Sequence, residues 1–174
     1  MKNSYLYLLV FGTCSFFVGA NELSDEEAAP SKNPLISVER AYIRSSIPGT
    51  TITSLYMMIE NKGEKTVTLL GANSNVSPRI EIHQHSMFNG MMRMRRLDSI
   101  DINAKQHIVL QPSGLHLMLF DVTSPLQAQQ KVELTLKFLN MDPVTIQVPV
   151  YSPLQEKIAQ EARDNLAVQQ LHHH

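Results

Sequence analysis

The sequence predicts an all-β domain, an antiparallel β-sandwich, and two observations favour this fold class. Between residues 35 and 151 the chain consists of short runs rich in Val, Ile, Leu, Thr and Tyr, separated by turn residues such as Pro48-Gly49 and Asn61-Lys62-Gly63. These runs show no helical period and no internal repeat. Many short strands at regular spacing are typical of sandwiches, and 174 residues suffice for one such domain with modest extensions.

The predicted strands follow one another from residue 36 to residue 150. They cover 36–45, 53–60, 65–74, 79–87, 91–97, 100–103, 106–111, 114–121 and 131–139, with 143–150 as a final hairpin partner.

The C-terminal segment, 152–174, differs from the strand-rich region. Ser152-Pro153-Leu154-Gln155 has the arrangement of a capping box with proline at the first helical position, which predicts a helix over 153–170. Its apolar residues, spaced by four, form a thin stripe that should pack loosely on the sandwich or leave the helix frayed: Leu154, Ile158, Ala162 and Leu166.

The first twenty residues have the layout of a secretory signal. Lys2 precedes an apolar stretch, and the small residues Val18-Gly19-Ala20 precede Asn21, which predicts cleavage after Ala20. Residues 21–34 then read as an acidic, flexible leader. A lipid on Cys14 is an alternative, but the residues before it fit a lipoprotein processing site poorly. No stretch is long and apolar enough for stable insertion in a membrane, so we expect an exported protein in the periplasm.

The composition excludes several classes of function. Cys14 is the only cysteine and leaves with the signal, so disulfides, thiolate nucleophiles, zinc–cysteine sites and blue-copper centres are not expected. The 15 Lys and Arg balance the 16 Asp and Glu, which argues against nucleic acid as a partner. No nucleophile with a paired base and no glycine-rich phosphate loop stands out, so we do not expect an enzyme.

A set of soft and borderline metal ligands recurs at a distinctive spacing: His83, Met94, His116 and Met118. Thioether sulfur has little affinity for magnesium, calcium or zinc, whereas Cu(I) accepts thioether and imidazole readily. The four residues therefore predict a site for Cu(I) on β-strands. Alternation puts His116 and Met118 on one face of their strand, with the flanking leucines on the other face.

Asn89-Gly90, between two β-rich runs, predicts a tight hairpin. A two-residue turn sets His85 opposite Met94, with His83 diagonal to it, whereas a four-residue turn sets His83 opposite Met94. Alternation alone leaves open whether this hairpin meets the strand of His116.

Several further residues have two interpretations. His85, Met87 and Met92 are accessory candidates for the metal, although the methionines at the hairpin tip are equally well explained as apolar packing. Met57, Met58 and Met141 are expected to be core fillers, and His107 an exposed strand residue. The tail His172-His173-His174 resembles a tag remnant or a native cluster that binds Cu(II) weakly.

The stretch 80–150 resembles the PCuAC family of periplasmic copper chaperones. The matching segments are Glu81-Ile82-His83, Gly90-Met91-Met92-Arg93-Met94-Arg95, Pro112-Ser113-Gly114-Leu115-His116-Leu117-Met118-Leu119, Pro125-Leu126 and Val148-Pro149-Val150. The resemblance implies a cupredoxin-like Greek-key β-sandwich, here with a C-terminal helical extension. It also implies that His83, Met94, His116 and Met118 ligate Cu(I).

The same resemblance implies a chaperone that delivers copper to the binuclear copper centre of cytochrome c oxidase, directly or through an intermediary. We expect the chaperone to be a monomer. Two other functions are open. One is an exported interaction module in which Met and His are incidental, and the other is a redox-active copper protein or thiol reductase, which the loss of cysteine disfavours.

Overall fold

The computed structural model describes residues 35–88 and 90–171. The strands in this part of the chain are β1 (Ile36–Arg44), β2 (Thr53–Asn61), β3 (Val67–Asn73), β4 (Arg79–Phe88), β5 (Met91–Leu97), β6 (Ile100–Ile102), β7 (His107–Leu110), β8 (Leu115–Phe120), β9 (Lys131–Phe138) and β10 (Met141–Tyr151). One helix, α1 (Pro153–Leu171), follows them. Every predicted strand is present, and no strand end differs from its predicted position by more than two residues.

The strands form a continuous 10-stranded sheet in the order β5-β4-β8-β7-β2-β1-β10-β9-β3-β6, folded into a sandwich. Strand β10 connects the two halves, because its end pairs in parallel with β1 and its longer part pairs antiparallel with β9. The predicted fold class, a cupredoxin-like Greek-key β-sandwich with a C-terminal helix, is confirmed. A second parallel contact, between β7 and β8, interrupts the otherwise antiparallel pattern.

The core lies between the two halves and is built by alternation along the strands. One side of each strand contributes fully buried apolar residues, as in β8, where Leu117 and Leu119 are completely buried. Met57 belongs to this core, as predicted, while Met58 and Met141 are half-buried. Full burial of each large apolar side chain stabilises the fold by about 1.5–3 kcal/mol, which fixes the register that aims the other side of β4 and β8 outward.

Helix α1 begins with the predicted capping box. The Gln155 amide donates to Ser152 Oγ (3.3 Å), and the Ser152 amide donates to Gln155 Oε1 (2.9 Å). The predicted packing face is wrong, however, because Leu154 and Ile158 are exposed and so is Ala162. The apolar residues of this helix are too few to outweigh polar contacts on its other side.

That other side binds the sheet through charged groups. Arg44 donates two hydrogen bonds to the carboxylate of the buried Glu156, at 2.8 and 2.6 Å. Two turns later, Arg163 donates to the Tyr42 hydroxyl at 3.0 Å. Helix α1 therefore covers the outer side of β1, where Tyr42, Tyr56 and Tyr151 cluster.

Within the described residues, no helix has the length and apolar character needed to cross a membrane. The predicted signal peptide (1–20), the leader (21–34), Cys14 and the tail His172–His174 lie outside the described residues, and these predictions stay untested.

Candidate metal centre

The β4–β5 hairpin has the register that a two-residue turn predicts. Phe88 pairs with Met91, and Gly90 between them has a positive φ of 74°, the conformation that favours glycine. His85 consequently lies directly opposite Met94. The alternative register, with His83 opposite Met94, is not the one adopted.

Strand β8 pairs with β4 on the side away from β5. The predicted hairpin and the strand of His116 are therefore neighbours in the sheet. His83 lies directly opposite His116, and their ring centroids are 6.1 Å apart. His85 is closer still to His116, with ring centroids 5.0 Å apart. Because paired residues share a face of the sheet, these side chains and both predicted methionines project from one surface. We call it the histidine face: Glu81, His83, His85, Met87, Met92, Met94, Arg96, His116 and Met118.

The two predicted thioethers lie on opposite sides of the His83–His116 pair. Met94 belongs to the next pair toward the hairpin tip, and Met118 pairs with Glu81 on the other side. Each methionine is a diagonal neighbour of His83, a separation of about 7–8 Å between backbone positions. Methionine has three rotatable bonds, so each sulfur can swing toward the central pair.

His116 is held in the protonation state that a metal ligand needs. It is 4% exposed, and its Nδ1–H donates to the Gly114 carbonyl at 3.0 Å, which leaves the lone pair on Nε2. Burial lowers the pKa of His116 below its ordinary value; the hydrogen bond to Gly114 opposes this shift, while His85 and His83 add to it. The imidazole is therefore neutral at neutral pH.

Glu81 orients His83 from the adjacent same-face position. His83 Nε2–H donates to Glu81 Oε2 at 2.9 Å, so the lone pair of this ring is on Nδ1. The hydrogen bond from His83 lowers the pKa of Glu81, and Arg79 and Arg96, whose guanidinium nitrogens lie 3.1 and 3.5 Å from Oε1, lower it further. A carboxylate that fixes the tautomer of a histidine is a recurring support of metal-binding imidazoles.

Two ring nitrogens of the histidine face are buried with no hydrogen-bond partner among the described residues, His83 Nδ1 and His85 Nδ1. Buried polar atoms are normally paired, so these two fit a metal ion as the missing partner. Considering only His, Cys, Asp and Glu, residues 35–88 and 90–171 contain no group of three or more arranged to hold a metal. His107 is exposed, as predicted.

Sequence reasoning gave no role to three residues that shape this surface. Glu81 orients His83, Gly114 orients His116, and the ring of Tyr56 packs 6.3 Å from that of His116. The Glu-x-His spacing was a usable signal, because residues two apart on a strand share a face. Tyr56 carried no such signal, since its strand pairs with β8 across more than fifty residues.

Comparison with known proteins gives the family. A family model described as "Putative lipoprotein LpqE-like" matches residues 36–150. The chain belongs to the LpqE-like family. A protein of Leifsonia xyli subsp. xyli (strain CTCB07), named "Putative lipoprotein Lxx21020", is 29% identical over 116 residues, which are 66% of this chain and 69% of the relative.

The fold of this LpqE-like protein is that of PCuAC domains. The copper-bound PCuAC domain from PmoF2 has a TM-score of 0.60 at 25% identity, covering 73% of this chain and 98% of that domain. The apo PCuAC domain from PmoF1 has a TM-score of 0.60 at 22% identity over 71% of this chain and 99% of that domain. Apo-DR1885 from Deinococcus radiodurans has a TM-score of 0.55 at 20% identity over 89% and 99%. The predicted PCuAC-like fold is thus confirmed.

Proposed function

We propose that this LpqE-like protein is an exported Cu(I) chaperone that binds one cuprous ion on the histidine face. The observation that carries the proposal is the pairing of His83 with His116 on a surface that also presents Met94 and Met118. The unpartnered Nδ1 of His83 and the structural neighbour that is copper-bound add support. His85 is a fifth candidate ligand because of its closeness to His116.

The donors suit a cargo site better than a permanent one. Thioethers and neutral imidazoles carry no charge, so no ligand has to gain a proton when the ion leaves. Met94 is about half exposed, which leaves an acceptor free to approach from that side. The thiolates of an acceptor, which are stronger ligands for Cu(I), can then replace the thioethers and imidazoles one at a time. This is ligand exchange and not catalysis, so the protein is not proposed as an enzyme.

The acceptor we propose is the binuclear copper centre of cytochrome c oxidase, reached directly or through an intermediary, with the chaperone acting as a monomer in the periplasm. Relatives named lipoproteins support export, as does the predicted signal at 1–20. Those names also bring back lipid attachment at Cys14 as an alternative to cleavage after Ala20. The His172–His174 tail is proposed as a weaker Cu(II) site.

One alternative is favoured by a specific observation. The family model and the relative are both described as putative lipoproteins, a description that also suits an exported β-sandwich interaction module. In that case the histidine face would bind no stoichiometric copper.

A competition titration followed by transfer separates the two functions. The chain without residues 1–20 is titrated with Cu(I) against a chromogenic chelator, then mixed with the soluble, metal-free binuclear copper domain of an oxidase. The proposal predicts tight uptake at the histidine face and its loss in His83→Ala/His116→Ala, with His107→Ala as the matched control on an exposed strand histidine. Uptake that is absent, or that survives in the double variant, contradicts it; tight uptake without transfer contradicts only the proposed acceptor.

A further inference from the structure

Exposed methionine is concentrated in one place. Within the described residues, the methionines among the exposed large apolar side chains are all on the β4–β5 hairpin: Met87, Met91, Met92 and Met94. Met57, by contrast, is 1% exposed in the core. Exposed methionine gains nothing from burial, and its distinctive chemistry is the soft sulfur. The hairpin therefore presents the sulfur donors for a second thioether site.

The register puts two of these side chains side by side on the histidine face. Met87 pairs directly with Met92, one step beyond the pair of His85 with Met94. Directly opposed residues have Cβ atoms about 4.5–5.5 Å apart, a span that two flexible thioethers can close onto one ion. Met91 pairs with Phe88 and belongs to the other face.

The charges on this face do not oppose a cuprous ion at the hairpin tip. Two arginines share the face, and both make ion pairs with Glu81: Arg79 (3.1 Å), at the end of β4 away from the tip, and Arg96 (3.5 Å), beside His83. Alternation assigns Arg93 and Arg95 to the opposite face. The tip of the histidine face is thus lined by neutral donors.

The donor pairs also form a row along β4. The pair of His83 and His116 comes first, the pair of His85 and Met94 second, and the pair of Met87 and Met92 last. Successive pairs are two residues apart, which is about 7 Å along a strand. Exposure increases toward the end, from 4% for His116 to 48% for Met94 and 66% for Met87. The row therefore connects the buried donors with solvent.

We propose that Met87 and Met92, with Met94 as a shared third donor, form an outer Cu(I) site through which the ion enters and leaves the inner site. This inference rests on the proposed function. In the step between the sites, Met94 keeps its bond to copper, the bonds to the imidazoles and to the sulfur of Met118 break, and bonds to the sulfurs of Met87 and Met92 form. Copper stays cuprous and all exchanging donors are neutral, so no electron or proton moves.

The test compares Met87→Leu/Met92→Leu with wild type and with Met91→Leu. Leucine keeps the apolar volume and removes the sulfur, and Met91 is a matched control because it is 56% exposed on the same hairpin but on the opposite face. Cu(I) stoichiometry is measured against a weak chelator. The rate of Cu(I) release is measured with an excess of a small, strong chelator, so that protein docking does not contribute.

The outer site predicts that wild type and Met91→Leu bind a second, weaker equivalent, which the double variant loses. It also predicts that the double variant releases Cu(I) more slowly than wild type, by about tenfold or more. The affinity for the first equivalent of Cu(I) should be unchanged, because the substitutions alter the exchange path and not the inner site. A double variant with the stoichiometry and release rate of wild type overturns the inference alone. Wild type that binds no Cu(I) overturns the proposed function as well.

Discussion

The outer surface of the sheet has two ends that differ in what covers them. At one end, over β1 and β2, helix α1 covers the tyrosine cluster through the Arg44–Glu156 and Arg163–Tyr42 contacts. At the other end, over β4, β5 and β8, the described chain leaves His85 half-buried and Met94 exposed. Polar groups at the covered end are paired, whereas two imidazole nitrogens at the uncovered end are not. One end is therefore held together by paired polar contacts, while the other presents imidazole nitrogens without a partner among the described residues.

The largest expected effect is on copper at the uncovered end. His116→Ala removes the imidazole at the centre of the histidine face and should weaken Cu(I) binding by about 100-fold or more, since even supporting residues of metal sites are worth about 10–100-fold. Chelator competition measures the affinity, and thermal unfolding of the metal-free variant shows that the fold persists. An affinity within a few-fold of wild type would mean that His116 is not a ligand.

A smaller loss is expected from Glu81→Gln, which keeps the shape of the side chain but removes the charge that fixes the His83 tautomer. Cu(I) affinity should fall by about tenfold. The free imidazole can then present either nitrogen, so nuclear magnetic resonance of the metal-free protein should show His83 with mixed tautomers. A variant with wild-type Cu(I) affinity and a single His83 tautomer would mean that Glu81 does not orient His83 and only contributes surface charge.

At the covered end the expected effect is on stability alone. Glu156→Gln weakens the bidentate contact with Arg44 and should lower the free energy of unfolding by about 1 kcal/mol, or a few degrees in Tm. Cu(I) affinity should not change. The control is Glu161→Gln on the exposed side of the same helix, where the ion pair with Lys157 spans 3.8 Å and contributes a few tenths of a kcal/mol. Equal effects of the two variants would mean that helix α1 does not depend on Arg44.

A comparable effect, confined to high pH, is expected in the pH dependence of stability at the covered end. Burial raises the pKa of the Tyr42 hydroxyl to about 12, against an opposing effect of Arg163. The folded state therefore holds this proton more tightly than the unfolded state, where the pKa is near 10. The contribution of this proton to the free energy of unfolding is fully present below pH 10 and is lost as the pH rises toward 12. The loss is about 1 kcal/mol at pH 11. Between pH 9 and 11, Tyr42→Phe should lose less stability than wild type. Curves of unfolding free energy against pH that run parallel for the two proteins would contradict the raised pKa of Tyr42.

The two ends also differ in how far the sequence predicted them. Strand positions followed from alternation, and Asn89-Gly90 predicted the hairpin between β4 and β5, because these are local signals. The turn left two registers open, and the structure adopts the one with His85 opposite Met94. The packing side of helix α1 was predicted wrongly, since Leu154 and Ile158 suggested an apolar stripe while the contacts that hold the helix come from Arg44 and Tyr42, more than a hundred residues earlier.

At the histidine face, the pairing between strands likewise depends on residues that are distant in the sequence. Alternation predicted which residues share a side of β4 or β8, but the pairing of His83 with His116 joins strands that are not consecutive. The closeness of His85 to His116 and the position of Met118 beside Glu81 follow from that pairing. Non-local register is set by the packing of the whole core, which short sequence patterns do not contain.

X-ray absorption at the copper edge of the protein loaded with one equivalent of Cu(I) tests the central claim most directly. If the histidine face holds the ion, the nearest shell contains both sulfur, from Met94 or Met118, and nitrogen, from His83 and His116. A shell of oxygen alone, or failure to retain one equivalent through desalting, would contradict the account.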